Sequence, residues 1–571
     1  MRRFLFLDKV LLMKSNKAVF ILFLLIGSSV FSNGLNGEFV HDDHLILSHS
    51  LFGQPSKIFS FFSQPYFEDF YQAGLYRPLV QISFGLNFLI GSSPFGFHLV
   101  NVLLHIINSF LVYLLLKKLT SNSRLSLIAS LLFLVLPIHV EAVTAISGRT
   151  ELLSLFFGIL TLLLWFDSKY FLSAIVLFLA FLNKESVIMV LAIIFLFNLY
   201  YHRGWRWPIY YFAAMIFYFI LRIAVLGQYA FKSQVEFVFN PLAYASFFER
   251  IFTALKILVL YLQKVFVPYN LSADYSYDQI SIVTNLFSSP LSLLGLVFLG
   301  LMFWEGYKIL TRKKSSVLGW LFIFFFLPYL VISNLIFPTG TIMAERLMYF
   351  PSLGALMILA VFIEQLFKLS KRLGLAILLI LSVVYGFITV SQNRVWANRE
   401  ALLTDSFKKS PNSVAAKTNY GILILNQDKE LAKKLSLEVY EKYPDYIQNL
   451  NLRGAVEVQE GDYAEAEKFL ERVLELRPKH QNTLQNLSRV YFTRKKYPEA
   501  EETLKILVFE YGGKGNVIFY ALIQAKNRHF EEASQTIYDF FGPDVKDESA
   551  LKILRGEFKE LDSFYTFTFS K

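Results

Sequence analysis

The chain has 571 residues, 55% hydrophobic and 17% aromatic with 60 Phe, and a mean hydropathy of +0.46. This excludes an ordinary soluble globule and reads as a polytopic membrane protein with room for one soluble domain. The net charge of +11 belongs, in such a protein, to cytoplasmic loops and gives no argument for nucleic acid, while the absence of Cys excludes disulfides, thiol catalysis and Cys metal sites.

Met1 to Lys17 carries Arg2, Arg3, Lys9, Lys14 and Lys17 against one acid, and 18–31 is apolar. The pattern suits a signal peptide, but Gly27-Ser28-Ser29 makes a poor cleavage site, so the segment is expected to be retained as the first span. Directly behind it stands NGEFVHDDHLILS, 36–48, with Asp42 and Asp43 between His41 and His44. Two acids at the mouth of a membrane helix suit a general base or metal ligation; as plain structure they would cap the next helix. Neighbouring side chains on a helix or strand point apart, so one acid acts while the other orients or binds. No metal ligand set is assigned.

Further apolar segments run near 97–119, 124–140, 149–166, 170–183, 185–201, 207–227, 248–268, 288–310, 316–337, 344–367 and 374–393. The basic clusters Lys117-Lys118 with Arg124, Arg203 with Arg206, Lys308 with Arg312-Lys313-Lys314, and Lys368 with Lys371-Arg372 are expected inside, with the N-terminus. Segment 248–268 carries Arg250, Lys256, Gln263 and Lys264, and spanning there would put Arg312-Lys313-Lys314 outside. It is therefore read as an amphipathic surface helix within an external loop, about 228–287. Eleven spans remain, of which 170–183 and 185–201 are short for a bilayer, and the C-terminus is external.

That topology gathers the polar turns on the outer face. Arg77 precedes Pro78 within the first loop, about 36–96. LPIHVEAVTAISGRTE, 136–151, supplies His139, Glu141, Arg149 and Glu151. Lys184-Glu185 and Glu345-Arg346 are charge pairs between apolar runs. As function, Arg77, Arg149, Lys184 and Arg346 suit a phosphate; as structure, the same residues are buried ion pairs or hydrogen-bonding glue. Asp274 and Tyr275, in the external loop, suit an acceptor contact or an interfacial aromatic belt. His98, Asn101 and His105 sit at helical spacing and read more readily as a polar stripe between helices than as a metal pair.

From about 396 the pattern becomes that of soluble helices. Pro444 and Pro478 stand 34 apart, as do Ala432, Ala466 and Ala500 in succession, and GDYAEAEKFLERVLELRP, 461–478, reads as the second helix of a tetratricopeptide repeat. About four repeats cover 396–543, a binding scaffold whose ligand the pattern leaves open. The domain division is 1–395, membrane, and 396–571, repeats.

The stretches EFVHDDHLIL, LYRPLVQISFGLN, PFGFHLVNVLLHIINS, PIHVEAVTAISGRTELL, NKES and AERLMYFPSLG, with Trp396 and NREAL, occur in that order over about 360 residues. In these the chain resembles the transmembrane and tetratricopeptide-repeat-containing O-mannosyltransferases, within the GT-C glycosyltransferases. It is similar to a short, prokaryotic-type member. Leu136 stands where the family usually has His, and Glu151 where it usually has Asp.

The resemblance implies an all-α GT-C fold and inverting transfer of a mannose-like sugar from a polyprenyl- or dolichyl-phosphate carrier to a protein hydroxyl. Asp42 and Asp43 match the family's two loop acids, with Asp42 as the base. Donor contacts would come from Arg77, His139, Glu141, Arg149, Lys184, Glu345 and Arg346, and acceptor contacts from Asp274 and Tyr275. The expected setting is a bacterial inner membrane with the repeats outside, receiving a protein acceptor; a divalent metal requirement is left open. Rival readings are transfer to a lipid or surface glycan, a transporter, for which the spans lack the internal duplication, and a scaffold, which has no need of the Asp42-Asp43 loop.

Overall fold

The computed structural model describes residues 15–47, 49–67, 73–201, 208–231, 235–311 and 318–557. The basic residues of 2–14, Arg203, Arg206 and Arg312-Lys313-Lys314 lie outside them. Among the described residues every regular element is a helix. The chain forms two compact units, Met1–Ser413 and Val414–Lys571, so the helix Arg399–Lys409, beyond the sequence boundary at 396, belongs to the first.

In the first unit, helix follows helix because long apolar runs are interrupted by proline, asparagine and serine at their starts. Pro78, Pro94 and Pro290 open helices at the position where a missing N–H costs nothing. Asn122 caps Ser123–Val135 by accepting the N–H of Arg124 and Leu125. Seven helices among the described residues are long and apolar enough to cross a bilayer: Asn16–Gly34, Pro94–Thr120, Ile146–Phe166, Pro208–Ala230, Pro290–Leu310, Ser352–Leu369 and Lys371–Val395. Ser123–Val135 and Pro137–Thr144 make an eighth if the pair, bent by 52° at Pro137, counts as one.

The eleven apolar segments expected to span thus comprise these eight and three shorter helices, Tyr170–Phe181, Glu185–Tyr201 and Gly319–Leu330. One boundary moves. The run from 344 begins with the turn Glu345–Met348, and its helix starts only at Ser352, which leaves Glu345 and Arg346 beyond the helix end.

Burial separates the faces of these helices. On Pro208–Leu226, Ile209, Phe212, Ile216, Ile220 and Ile223 face outward at spacings of three and four, while Tyr211, Tyr218 and Arg222 are buried. An apolar outer stripe with polar side chains turned inward is what a lipid-facing helix requires. Phe247–Phe266 is the reverse case. Ser246 and Glu249 close a capping box, Thr253, Ile257, Leu258, Tyr261 and Val265 are buried, and Lys256 and Lys264 reach loop oxygens. It is an amphipathic helix, as expected, and is not among the membrane-length apolar helices.

The second unit is a row of helical hairpins: Val414–Ile424 with Lys429–Lys442, Ile447–Glu460 with Tyr463–Leu476, Gln481–Thr493 with Tyr497–Tyr511, and Lys514–Lys526 with Phe530–Phe541. Small Ala432, Ala466, Ala500 and Ala533 are buried where paired helices approach most closely. Gly461, at φ 81, ends Ile447–Glu460 in the left-handed conformation that glycine adopts without strain.

Candidate functional site

The site is built on the turn Val40 to Asp43. Asp43 is fully buried and spends both carboxylate oxygens on the backbone, Oδ2 accepting the Val40 N–H at 3.1 Å and Oδ1 the Ser147 N–H at 2.9 Å. Its own N–H donates to the Val40 carbonyl at 3.0 Å. Asp43 therefore fastens the first loop to the 140–149 turn. Burial raises its carboxyl above the ordinary value, with the two N–H groups opposing. Gly148 makes that turn possible, since a Cβ there would lie 2.2 Å from the Ala142 carbonyl oxygen.

Asp42 is held differently. Its Oδ1 lies 3.0 Å from Nδ1 of His41, and the Asp42 and His41 side chains are 45% and 46% exposed, so the carboxylate is half open to solvent. Burial pushes the Asp42 carboxyl upward, but the charge and hydrogen bond of His41, with Arg346 beyond, outweigh it and hold the group well below the carboxylate range. The same carboxylate raises His41 to about 9, against burial and Arg346.

Arg346 acts on this acid by its charge, and the other charged motifs pair among themselves. Arg346 donates its backbone N–H to Glu141 Oε2 at 2.8 Å and forms an ion pair with Glu141 through its guanidinium. Lys184 pairs with Glu151, both about nine-tenths buried. Glu185 lies 3.7 Å from both Arg77 and Arg222. Arg77 also stands over the Tyr66 ring at 5.3 Å, and its Nε, like Glu185 Oε2, is buried with no hydrogen-bond partner among the described residues. Two guanidiniums and a lysine thus face two carboxylates here; Arg222 also donates to the Ala230 and Gly74 carbonyls and to the Tyr218 hydroxyl, which leaves the Arg77 Nε as the unused donor of the three among the described residues. Burial lowers Lys184, with Glu151 opposing.

On the loop side, buried Glu345 accepts the Ser272 N–H at 2.8 Å and the Tyr275 hydroxyl at 2.6 Å. Burial raises Glu345 to about 8, with Lys264 the largest opposing influence. Asp274 accepts from Ser276 N at 2.8 Å and from the Ser413 hydroxyl at 2.6 Å, and its charge reaches His41.

Two expected donor contacts lie elsewhere. His139 is fully buried, Nδ1 against the Phe133 carbonyl at 3.0 Å and Nε2 against Ser352 Oγ at 2.8 Å. Arg149 is also fully buried; it donates to Asn101 Oδ1 at 2.8 Å, Phe97 O at 2.9 Å and Ser83 O at 3.2 Å, over the Phe84 ring. Their polar atoms join helices, which keeps them from the Asp42 carboxylate. His105, between Tyr349 and the Leu134 carbonyl, does the same. Among the described residues no group of three His, Asp or Glu side chains lies close enough to hold a metal ion.

Comparison with known proteins gives this arrangement a context. Residues 457–513 match the tetratricopeptide repeat model. Protein O-mannosyl-transferase F38B6.6 of Caenorhabditis elegans is 30% identical over 416 residues, 68% of this chain and 57% of that protein. Protein O-mannosyl-transferase TMTC3 of Homo sapiens is 27% identical over 414 residues, covering 65% and 45%. Protein O-mannosyl-transferase TMTC1 of Homo sapiens is 26% identical over 509 residues, covering 75% and 56%. The chain's homologues are the transmembrane and tetratricopeptide-repeat O-mannosyltransferases. The chain spans about half the length of these curated relatives.

Several members of the site escaped the reading of this sequence. Arg222 sits inside an apolar run, where any ionisable residue is a candidate for function, and that signal was available. Tyr66 and Ser147 carry no such mark, because an aromatic or a serine in a loop is too common to single out.

Proposed function

We propose that this protein is an integral membrane glycosyltransferase moving a mannose-like sugar from a polyprenyl-phosphate carrier to a protein hydroxyl on the external face, with inversion. The observation that carries the reading is a half-open carboxylate, Asp42, hydrogen-bonded to His41 and under the charge of Arg346. The names of the relatives, O-mannosyl-transferases, support the reaction class.

In this reading the acceptor oxygen attacks the anomeric carbon while its proton passes to the Asp42 oxygen not engaged by His41. The bond from that carbon to the phosphate oxygen breaks, and its electron pair leaves with the polyprenyl phosphate. Arg77, with a buried N–H unused, and Lys184 bind the phosphate and offset the charge that develops there. Arg346, tied to Glu141, supplies a fixed positive charge beside Asp42. Asp43 positions the loop, and the repeats receive the polypeptide acceptor.

The test uses the full chain in detergent, polyprenyl-phosphate mannose and a peptide containing Ser and Thr. Asp42→Asn keeps the side chain's size but removes the base, and transfer should fall by about 10²–10⁴-fold with carrier binding nearly unchanged. Wild-type transfer by Asp42→Asn would refute the reading.

A further inference from the structure

His41 touches the proposed base directly, with Nδ1 3.0 Å from Asp42 Oδ1. The residue has a φ of 52°, a left-handed conformation that costs an L-residue without the local hydrogen bonding of Asn or Asp, and such conformations persist where the surroundings impose them. Here they do. The Val40 and Asp43 backbones bond across the residue, and Asp43 is anchored to Ser147. In an extended or helical backbone the side chains of residues 41 and 42 would diverge. The left-handed residue turns the imidazole back along its neighbour, with Nδ1 3.0 Å from Asp42 Oδ1.

The charged groups that face this ring are Asp42 itself, Arg346 from the 345–348 turn and Asp274 from the external loop. Arg346 already carries Glu141 on both its backbone N–H and its guanidinium. His41 is therefore the cation in direct hydrogen-bond contact with Asp42 among the described residues. Burial acts on Asp42 toward protonation, and a protonated carboxylic acid cannot take the acceptor's proton.

We infer that His41 is a positioning residue for the transfer proposed above, on which this inference rests: it occupies one Asp42 oxygen, keeps the carboxylate ionised, and leaves the other oxygen to receive the acceptor proton. The arrangement weakens Asp42 as a base but guarantees that it is one over a wide pH range, the two terms whose product sets general-base efficiency.

The experiment is the pH profile of transfer from polyprenyl-phosphate mannose to a Ser/Thr peptide by the full chain. Wild type should vary less than about twofold between about pH 4.5 and 8, because the ion pair holds Asp42 ionised throughout. His41→Asn, chosen because Asn tolerates the left-handed backbone, should develop an acid limb with at least about a tenfold loss at the low end. His41→Lys restores a cation and should flatten the profile again. Polyprenyl-phosphate binding should be the same in all three.

A wild-type acid limb of about tenfold over that range would overturn the inference, and this arm needs no variant to fold. So would a His41→Asn profile parallel to wild type at a uniformly lower rate, the result of a merely structural role. An Asp42→Asn variant with full activity would remove the transferase reading itself; an inactive Asp42→Asn with an unaltered His41→Asn profile would remove only this inference.

Discussion

Replacing Glu151 by Gln tests whether the buried Lys184 is held by compensating charge. Glu151 and Lys184 form an ion pair with side chains 13% and 10% exposed, so Glu151→Gln would strand a buried ammonium. Removing one partner of such a pair costs about 3–5 kcal/mol, whereas replacing both with apolar side chains of similar volume is often neutral or stabilising. Thermal unfolding of the detergent-solubilised full chain at fixed scan rate should therefore rank Glu151→Gln well below wild type and Glu151→Leu/Lys184→Met close to it.

The pH dependence has a definite sign. Lys184 is already lowered by burial, and Glu151 is the influence that opposes the shift. In Glu151→Gln the folded state gives up the Lys184 proton at still lower pH, while the unfolded chain keeps it to about 10.4. Across that window the unfolded state binds more protons, so the variant's stability should rise with pH more steeply than that of wild type. Carrier binding separates structure from function: the double variant regains stability but should still lose polyprenyl-phosphate affinity. A Glu151→Gln protein with wild-type unfolding and wild-type pH slope would refute the reasoning, and a double variant with undiminished carrier affinity would remove Lys184 from the phosphate site.

Two further outcomes follow from the contacts. Glu345, raised by burial, takes up a proton more readily folded than unfolded, so its contribution is complete below the ordinary carboxylate value and is lost as pH rises through about 8. Glu345→Gln should remove that loss, visible as a flatter fall in unfolding temperature between about pH 5 and 8, and an unchanged slope would count against it. Truncation after Ser413 should preserve carrier binding because the first unit keeps its internal contacts, whereas truncation after Asn398 removes the Ser410 and Ser413 hydroxyls that bind Asp274 and its carbonyl and should destabilise the loop that carries Asp274; equal limited proteolysis of the two would contradict this.

Hydropathy placed the long helices of the first unit, because a run of about twenty apolar residues can satisfy its backbone in lipid only as a helix, but it gave no helix at Pro78–Ile90, inside the expected first loop. The 34-residue period likewise placed the repeat hairpins, since small residues and prolines mark where paired helices touch and end. The acids at 42 and 43 were conspicuous because of where they stand, immediately after an apolar segment.

What each polar residue does was decided by tertiary structure. Arg149 and Arg77 look alike in sequence, yet one spends its donors on Asn101 and two carbonyls inside the bundle while the other keeps a buried N–H unused among the described residues. Glu141 and Arg346 are 205 residues apart, and Asp43 and Ser147 are 104 apart. Contacts of that separation depend on the rotation and depth of each helix, which the packing of its whole apolar face sets, and no local spacing records them. The division between Asp42 and Asp43 has the same origin. Adjacent identical residues differ because Ser147 reaches one of them and a left-handed His41 the other.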